Sequence, residues 1–389
     1  MECSCENNCI ITSKEIEKSL SANDPCPQCK EISIKKFKPI SEQFSLNSIN
    51  SEFGKCSCGK RSLDSVMAHV LKVILDLNID IGKDTLRNGP LPLITPFYTT
   101  QKPLFIDENS LVILDNRLEK KEGKYIVENI KEVKGVLKGS SHDTVGIKDS
   151  ESSAIVYERL SGCDIRCDII NSPLEPIAIN KIQSLSYLEF PKSMENKIMK
   201  LCSYIKSKHY SSEEIANLKI LDGTCGNGSL GIFLLKYGVK KVIFNDIWYP
   251  ATISSSINLE SNGFKVNFLN VNKKNNNKNN NKNNNNLNIS NFFNMDNCIN
   301  NYNFEKNEIE NFDKNKNDNV DENNIISPLN YKIAEGEKFE VYNLAIENLA
   351  NNLENKHKID LCILDCFPDA NTSKFEKIAK SIANEVWII

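Results

Sequence analysis

The sequence predicts an α/β protein whose C-terminal half forms an α/β sheet, preceded by a Cys-rich module and a small β-rich or α+β domain. Three observations predict this fold class. Residues 218–248 join a buried strand, a glycine-rich turn, an apolar helix and a second strand into one βαβ unit. Half of the 14 Cys lie within the first 58 residues. Between residues 104 and 170, short apolar runs alternate with polar or Gly-containing turns, a pattern typical of strands.

The composition is that of a globular protein and excludes several other classes. The 389 residues are 40% hydrophobic and 25% charged, and the net charge of −3 gives no overall indication of nucleic-acid binding. No run reaches the ~18 apolar residues of a membrane span, and the first residues do not resemble a signal peptide. We therefore expect a cytoplasmic protein without membrane association. The composition does not predict its oligomeric state.

The length allows two or three domains of roughly 150 residues each. The predicted domains are a Cys-rich module at 1–61, an accessory domain at 62–184 and the sheet domain at 185–389. An Asn-rich stretch at 271–325 carries too little apolar surface to offset the entropy cost of ordering. We therefore expect a disordered insertion before the third strand of the sheet.

Two closely spaced Cys pairs in the N-terminal module predict a bound metal. Thiols stay available for metals in a reducing compartment, and four thiolates hold a structural Zn²⁺ as in a zinc ribbon. The predicted ligands are Cys26, Cys29, Cys56 and Cys58. The one-residue spacing of the second pair crowds two ligands on one turn, so other thiols are alternative ligands. These are Cys3, Cys5 and Cys9. The same three thiols leave a second metal or an iron–sulfur cluster open.

The accessory domain is predicted to begin with an amphipathic helix that Ser62 caps and that carries His69 on or near its polar edge. Strands are expected in the runs that follow, including residues 124–130. Cys163 and Cys167 are separated by three residues, a spacing compatible with a metal clamp, with packing or with a redox pair. Their role stays unassigned.

The turn after the first strand of the βαβ unit favours close approach to a ligand. Gly223, Gly226 and Gly228 lack a Cβ, so the backbone can turn tightly, and the following helix offers unpaired N–H groups. Asp222 and Asp246 end the two strands, and carboxylates accept charge-assisted bonds from an ammonium or from paired hydroxyls. Gly226, Gly228 and Gly231 also fit the dinucleotide pattern G-x-G-x-x-G, so the glycines alone do not identify the ligand.

The string D-x-x-x-G-x-G that begins at Asp222 resembles the class I S-adenosylmethionine-dependent methyltransferases, which have a Rossmann-like sheet. The resemblance covers residues 185–389. It implies that the turn cradles the methionine part of the cofactor and that Asp246 holds the ribose hydroxyls. Asn343 stands near the position of the acid that binds the adenine amino group in that family. The implied cofactor-binding residues are Asp222, Gly223, Gly226, Gly228, Asp246, Ile247 and Asn343.

The fourth strand ends in Asp365-Cys366-Phe367-Pro368, which is similar to the D/N-P-P-Y/F loop of amino-group methyltransferases. In that family the loop holds the target nitrogen and stacks an aromatic ring on the base. The implied catalytic residues are Asp365, Phe367 and Pro368. Cys366 departs from the family's Pro. It is interpreted as a small buried residue, as part of the target pocket or as a nucleophile.

The same loop is similar to that of tRNA guanine-N2 methyltransferases, which implies methylation of a base nitrogen in RNA, with tRNA as the preferred partner. Two alternatives stay open. One is a protein or small-molecule acceptor, and the other is a non-catalytic zinc-ribbon binding protein with a methyltransferase-like domain. Residues 385–389 are predicted to form the fifth strand of the sheet. The sheet of the family has two further strands, which are missing from this sequence. We expect that the N-terminal β-rich part supplies an edge or that the sheet stops short.

Overall fold

The computed structural model of the protein describes residues 9–269, 332–353, 359–368 and 370–389. The Asn-rich insertion predicted at 271–325 and the alternative metal ligands Cys3 and Cys5 lie outside the described residues. Among the residues that are described, no helix is both long enough and apolar enough to cross a membrane.

Short helices and loops form the N-terminal module and pack on the first long helix. The elements are α1 (Ile16–Ser19), α2 (Ile40–Gln43), β1 (Arg61–Ser62) and α3 (Leu63–Asp76). Ser62 caps α3 as predicted, because its hydroxyl accepts a hydrogen bond from the Ser65 backbone N–H at 3.2 Å. The apolar face of α3 packs with Ile34 and Ile40 of the module and with Val136 of the next domain. The module therefore shares a hydrophobic core with the domain that follows it.

A buried ion pair joins the same two regions. The guanidinium of Arg61 donates through Nε and Nη2 to the Glu132 carboxylate at 2.6 and 2.7 Å. His69 of α3 lies beside this pair, with its Nδ1 3.4 Å from the guanidinium nitrogens. Burial, reinforced by the charge of Arg61, lowers the pKa of His69 to about 4. The prediction of a polar-edge position for His69 is therefore wrong, since the side chain is buried.

The middle domain combines two small sheets with one helix. Its elements are β2 (Leu91–Ile94), β3 (Phe97–Tyr98), β4 (Phe105–Ile106), β5 (Leu111–Leu114), α4 (Lys120–Asn129), β6 (Val133–Lys138), β7 (Glu158–Gly162), β8 (Ile165–Ile170) and β9 (Ile177–Ile182). The strands form a four-stranded sheet, β2-β5-β6-β7, and a three-stranded sheet, β3-β8-β9, while β4 pairs with β1. The predicted β-rich or α+β character is confirmed, and the domain boundaries stay predictions.

The strand predicted over residues 124–130 is wrong, because residues 124–129 belong to α4. The strands on either side of this helix, β5 and β6, are parallel. Parallel neighbours need a crossover connection, which is usually a helix. The helix buries Ile126, and a Cβ on its Gly123 would lie only 2.8 Å from Leu160 of β7. Tertiary packing thus overrides the strand propensity of this run.

The C-terminal region is a Rossmann-like α/β domain built on a seven-stranded sheet. Its elements are α5 (Pro191–Ser207), α6 (Ser212–Ile215), β10 (Lys219–Asp222), α7 (Ser229–Tyr237), β11 (Lys241–Asp246), α8 (Tyr249–Ser261), β12 (Asn267–Phe268), β13 (Lys332–Gly336), β14 (Phe339–Asn343), α9 (Ile346–Leu353), β15 (Ile359–Leu364), α10 (Thr372–Ile382) and β16 (Ala383–Ile388). The strand order is β12-β13-β14-β11-β10-β15-β16. The last five strands in this order are parallel, and β12 and β13 add an antiparallel edge.

Helices cover both faces of this sheet. On one face, α5 and α7 pack on Ile220 of β10 and Val242 of β11. On the other face, α9 and α10 pack on Leu221 and Ile243 of the same two strands. Because both faces are buried, the central strands are almost continuously apolar. This arrangement brings the carboxyl ends of β10, β11 and β15 to one edge of the sheet, where ligands bind in open α/β sheets.

Within the described residues the sheet ends at β16, which pairs with β15. The expectation that the N-terminal part supplies this edge is wrong, since the N-terminal strands form sheets of their own. Trp387 of β16 stacks on Tyr204 of α5 with ring centroids 5.6 Å apart. The Tyr204 hydroxyl also donates a hydrogen bond to Glu385 at 2.5 Å. Side chains of α5 therefore cover the apolar end of the last strand.

Gly231 lies where α7 crosses β11 with no room for a side chain. A Cβ at this position would lie 2.2 Å from the ring of Phe244. We expect Gly231→Ala to destabilise the protein by about 1–3 kcal/mol through overpacking, measured as a lower melting temperature. Gly89→Ala is the control, because the nearest atom to a Cβ there is 3.4 Å away. Equal melting temperatures of the two variants would contradict a tight helix–strand crossing.

Candidate active site and metal centre

The glycine turn connects β10 to α7 at the edge where the strands end. The backbone N–H of Gly223 donates to the carbonyl of Ile363 at 2.9 Å, which ties the turn to β15. Gly226 and Gly228 have φ angles of +51° and +85°, in the left-handed region that favours glycine. A Cβ on Gly228 would lie 3.1 Å from the Ser255 hydroxyl. The predicted glycines therefore form one tight turn that other residues would strain.

Asp222 ends β10 beneath this turn and is buried. Its Oδ2 accepts a hydrogen bond from the Gly231 N–H at 3.0 Å, while its Oδ1 has no hydrogen-bond partner among the described residues. Burial, reinforced by the charge of Asp365, raises the pKa of Asp222 to about 8. The Oδ1 of Asn245 is a second buried acceptor without a described partner, and Asn245 lines the cavity beside the turn. Because Asn245 lines the cavity, its unsatisfied acceptor fits a ligand that brings an N–H group.

Asp246 ends β11 and faces the cavity beside the turn. Its Oδ2 accepts from the Gly226 N–H at 2.9 Å, and its Oδ1 accepts from the Trp248 N–H at 2.8 Å. Each carboxylate oxygen keeps a second lone pair for a ligand. Burial raises the pKa of Asp246 to about 6. Asp246 is thus a fixed carboxylate that can accept bonds from two neighbouring hydroxyls.

Asn343 lies behind this carboxylate. It is buried at the end of β14 and does not line the cavity. Its Nδ2 donates to the backbone carbonyls of Asp246 and Ile247 at 2.9 and 3.0 Å. Asn343 therefore orients the segment that carries Asp246. A direct contact between Asn343 and adenine stays a prediction.

Asp365 follows β15 and is held by a lysine that sequence reasoning missed. The Nζ of Lys197, on α5, donates hydrogen bonds to both carboxylate oxygens of Asp365, at 2.8 and 2.7 Å. The same Nζ forms an ion pair with Glu189 at 2.8 Å. Burial raises the pKa of Asp365, although Lys197 opposes this increase. Burial alone would lower the pKa of Lys197, but Asp365 and Glu189 together raise it. Lys197 and Asp365 therefore form an ion pair at the wall of the cavity.

One cavity of about 620 Å³ joins these groups, a volume typical of small-ligand sites. Phe367 and Tyr187 line it and meet edge to face with ring centroids 5.2 Å apart. Gly146 of the middle domain lies against this wall, since a Cβ there would be 3.3 Å from Phe367 and 3.7 Å from Trp248. The middle domain thus contributes to the aromatic wall around the predicted acceptor loop.

Most of the predicted site residues share this cavity. Those that line it are Gly223, Gly226, Asp246, Ile247, Asp365, Phe367 and Pro368. Those that lie behind its wall are Asp222, Gly228 and Asn343. The acceptor loop and the glycine turn are also directly connected, because the Asp365 N–H donates to the Thr224 hydroxyl at 2.8 Å. Sequence reasoning missed Thr224 and Asn245 as well as Lys197 and Glu189.

Cys366 lines the cavity and is half-buried. Burial raises the pKa of its thiol to about 11, so the thiol stays protonated at neutral pH. The thiolate is the nucleophilic form of Cys. This environment disfavours the nucleophile interpretation and favours a role of Cys366 in the pocket wall.

The four predicted metal ligands come together in the N-terminal module. Their Sγ atoms all lie within 4.8 Å of one another. The Sγ–Sγ distances are 3.6 Å for Cys26–Cys56, 3.6 Å for Cys26–Cys29 and 3.7 Å for Cys29–Cys58. A tetrahedral Zn²⁺ with Zn–S bonds of about 2.3 Å requires S–S distances of about 3.8 Å. The donor set therefore fits zinc, and the one-residue spacing does not keep Cys58 out of the cluster.

The other thiols of interest lie apart from this cluster. The Sγ of Cys9 is 3.7 Å from the Sγ of Cys163 and 3.4 Å from the Nζ of Lys134. Cys167 is buried in a different apolar cluster, with Ile169. Cys163 and Cys167 therefore do not face one another, and packing is the interpretation that the structure favours for Cys167.

The fold and the cavity together have the layout of class I methyltransferases that the sequence resembles. The central one of five parallel strands is β10 and β11 lies beside it, a glycine turn follows β10, and acids stand at or just after the ends of β10, β11 and β15. The predicted Rossmann-like fold class is therefore confirmed.

No protein-family model and no curated protein matches the sequence. Among solved structures, the chain is similar to the M. jannaschii tRNA m1G37 methyltransferase, with 12% identity and a TM-score of 0.33 over 82% of this chain and 63% of that one. It is similar to P. horikoshii TYW2 in complex with MeSAdo, with 13% identity and a TM-score of 0.29 over 50% and 59%. It is also similar to Trm5b from Pyrococcus abyssi, with 18% identity and a TM-score of 0.24 over 38% and 41%.

The chain spans less than two thirds of the length of each of these three structures. With TM-scores below 0.5, the likeness carries no argument about function.

Proposed function

We propose that this protein is an S-adenosylmethionine-dependent methyltransferase that modifies a base nitrogen of RNA, with tRNA as the favoured substrate. The observation that carries the proposal is the cavity, where the carboxylates of Asp246 and Asp365 meet a glycine turn and an aromatic wall. The turn and Asp246 would hold the cofactor, and the wall around Phe367 suits a flat acceptor.

The residues present fit the proposed cofactor. Asp246 offers lone pairs to paired hydroxyls, and the Oδ1 of Asn245, which lines the cavity and has no hydrogen-bond partner among the described residues, suits an N–H donor. When bound, S-adenosylmethionine supplies an electrophilic methyl group on a sulfonium.

The chain's own groups would position the acceptor. Asp365 accepts a hydrogen bond from the N–H of the acceptor nitrogen, and Phe367 packs against the base. Positioning supplies most of the catalysis when the nucleophile is a nitrogen with an available lone pair. Lys197 keeps the Asp365 carboxylate in one orientation through its two contacts.

Methyl transfer from labelled cofactor to separate RNA, protein and small-molecule fractions tests the proposal. We expect label in nuclease-sensitive RNA of tRNA size, and mass spectrometry of the nucleosides would identify the base. Asp365→Asn is the control that should lose transfer while keeping cofactor binding. Label in the protein or small-molecule fraction would show that the acceptor is a protein or a small molecule and not RNA. If calorimetry detects no binding of S-adenosylmethionine, the protein is not a methyltransferase, and the non-catalytic zinc-ribbon binding protein is the alternative that stays.

We further propose that the four-Cys cluster binds one structural Zn²⁺. We expect elemental analysis to find one zinc per chain and Cys29→Ser to lose it. Each kcal/mol of metal-derived stability that is lost would lower the melting temperature by roughly 2–4 °C. Ser57→Ala is the matched control, since Ser57 lies between two of the ligands without being one. Unchanged zinc content in Cys29→Ser would contradict this ligand set.

A further inference from the structure

A tightly fixed turn in the N-terminal module exposes Phe37. The Lys38 N–H donates to the Lys35 carbonyl at 3.0 Å. The Gln43 side chain closes the turn from inside, because its Oε1 accepts from the Lys35 N–H at 2.8 Å and its Nε2 donates to the Lys38 carbonyl at 3.0 Å. Backbone contacts therefore hold the turn without help from the Phe37 ring. That ring is 72% exposed, more than any other exposed large apolar residue of the described chain.

Arg87 stacks over this ring. Its guanidinium carbon lies 4.8 Å from the Phe37 ring centroid, and its backbone N–H donates to the Lys36 carbonyl at 3.2 Å. The contact is a cation–π pair in which the charged group stays in solvent. One side of the ring is therefore taken by Arg87, and the ring and guanidinium together form a flat surface.

Positive charge surrounds this surface. Residues Lys35, Lys36, Lys38 and Arg87 are all exposed. Lys36 pairs with Asp64 at 2.8 Å, whereas the side chains of Lys35 and Lys38 form no ion pair with any described residue. A chain with a net charge of −3 thus carries a local excess of positive charge beside an exposed ring. Residues 35–38 and Arg87 are called the basic turn.

We propose that the basic turn binds unpaired nucleotides of the RNA substrate, an inference that rests on the proposed function. A base would stack on the open side of Phe37, and Lys35 and Lys38 would contact phosphates. Aromatic stacking beside cations is how proteins bind single-stranded nucleic acids without reading sequence. An acidic polypeptide would use the charges but would have no need of the stacking ring, so nucleotides are the better fit.

Binding of labelled bulk tRNA to the full-length protein, measured over a range of salt concentrations, tests the proposal. Phe37→Ala is expected to weaken binding by roughly 5- to 100-fold through loss of one stacked base. The double variant Lys35→Ala/Lys38→Ala should make the log–log salt slope shallower by about 1.5, since two phosphate contacts are lost. Heparin provides a second probe, because it carries charge without bases. Phe37→Ala should leave heparin binding unchanged.

The matched control is Lys120→Ala/Lys124→Ala, which removes two exposed lysines of α4. If the basic-turn variants bind tRNA as this control does, the surface assignment is wrong while the proposed function stands. If wild type binds S-adenosylmethionine but no RNA, both the RNA acceptor and the basic turn are overturned. Equal weakening for heparin and tRNA in Phe37→Ala would rule out base stacking. Unchanged S-adenosylmethionine affinity in every variant would show that the C-terminal domain is intact.

Discussion

Asp246→Ala is expected to weaken S-adenosylmethionine binding by at least about 100-fold. The variant removes the carboxylate proposed to accept both ribose hydroxyls, and a hydrogen bond to a charged group contributes roughly 1.5–3 kcal/mol. Two such bonds correspond to about 10²- to 10⁴-fold in Kd. The N–H groups of Gly226 and Trp248 also lose their acceptor, which loosens the turn. Isothermal titration calorimetry measures the change in Kd.

The matched control is Asp360→Ala. Asp360 lies on β15 of the same sheet, but it does not line the cavity, and its carboxylate accepts from the Lys219 N–H at 2.8 Å. This variant should keep the wild-type affinity. The wild-type affinity should also decrease as the pH falls through about 6, because protonation of Asp246 removes a charged acceptor. Equal affinities of Asp246→Ala and Asp360→Ala would refute the ribose contact.

The local features of the sheet domain could be predicted because they depend on residues that are close together in the sequence. The strand, turn and helix around Asp222 follow from apolar periodicity and glycine spacing. The acids at strand ends could be placed at one edge because parallel strands end together. The cluster of four thiols likewise follows from the spacing of two short Cys pairs.

Features that depend on distant packing could not be predicted. Lys197 and Asp365 are 168 residues apart, and a lysine on an amphipathic helix usually faces solvent. His69 is buried because Arg61 and Glu132 form an ion pair beside it, a contact that no helical period reveals. Residues 124–129 form a helix because the strands around them are parallel, and strand direction is decided by the whole sheet.

Lys197→Met is expected to move the acidic limb of the pH–rate profile of methyl transfer to higher pH, so that the rate on that limb falls below the wild-type rate. Burial already raises the pKa of Asp365, and the ammonium of Lys197 at 2.7 Å is the contact that opposes this increase. The other titratable groups beside Asp365 are Glu189 from the segment before α5, Asp222 from β10 and Cys366, and none of them is a cation. Removing the ammonium therefore favours the protonated carboxyl, and the carboxylate forms only at higher pH.

The controls for this prediction separate an electrostatic role from a structural one. Lys200→Met changes an exposed lysine one turn further along α5 that does not line the cavity, so its profile should match wild type. Lys197→Arg keeps a cation beside Asp365 and should restore the wild-type limb. At high pH the Lys197→Met rate should approach that of wild type, because the carboxylate then ionises without help. A loss by the same factor at every pH would instead show that Lys197 only supports the position of α5.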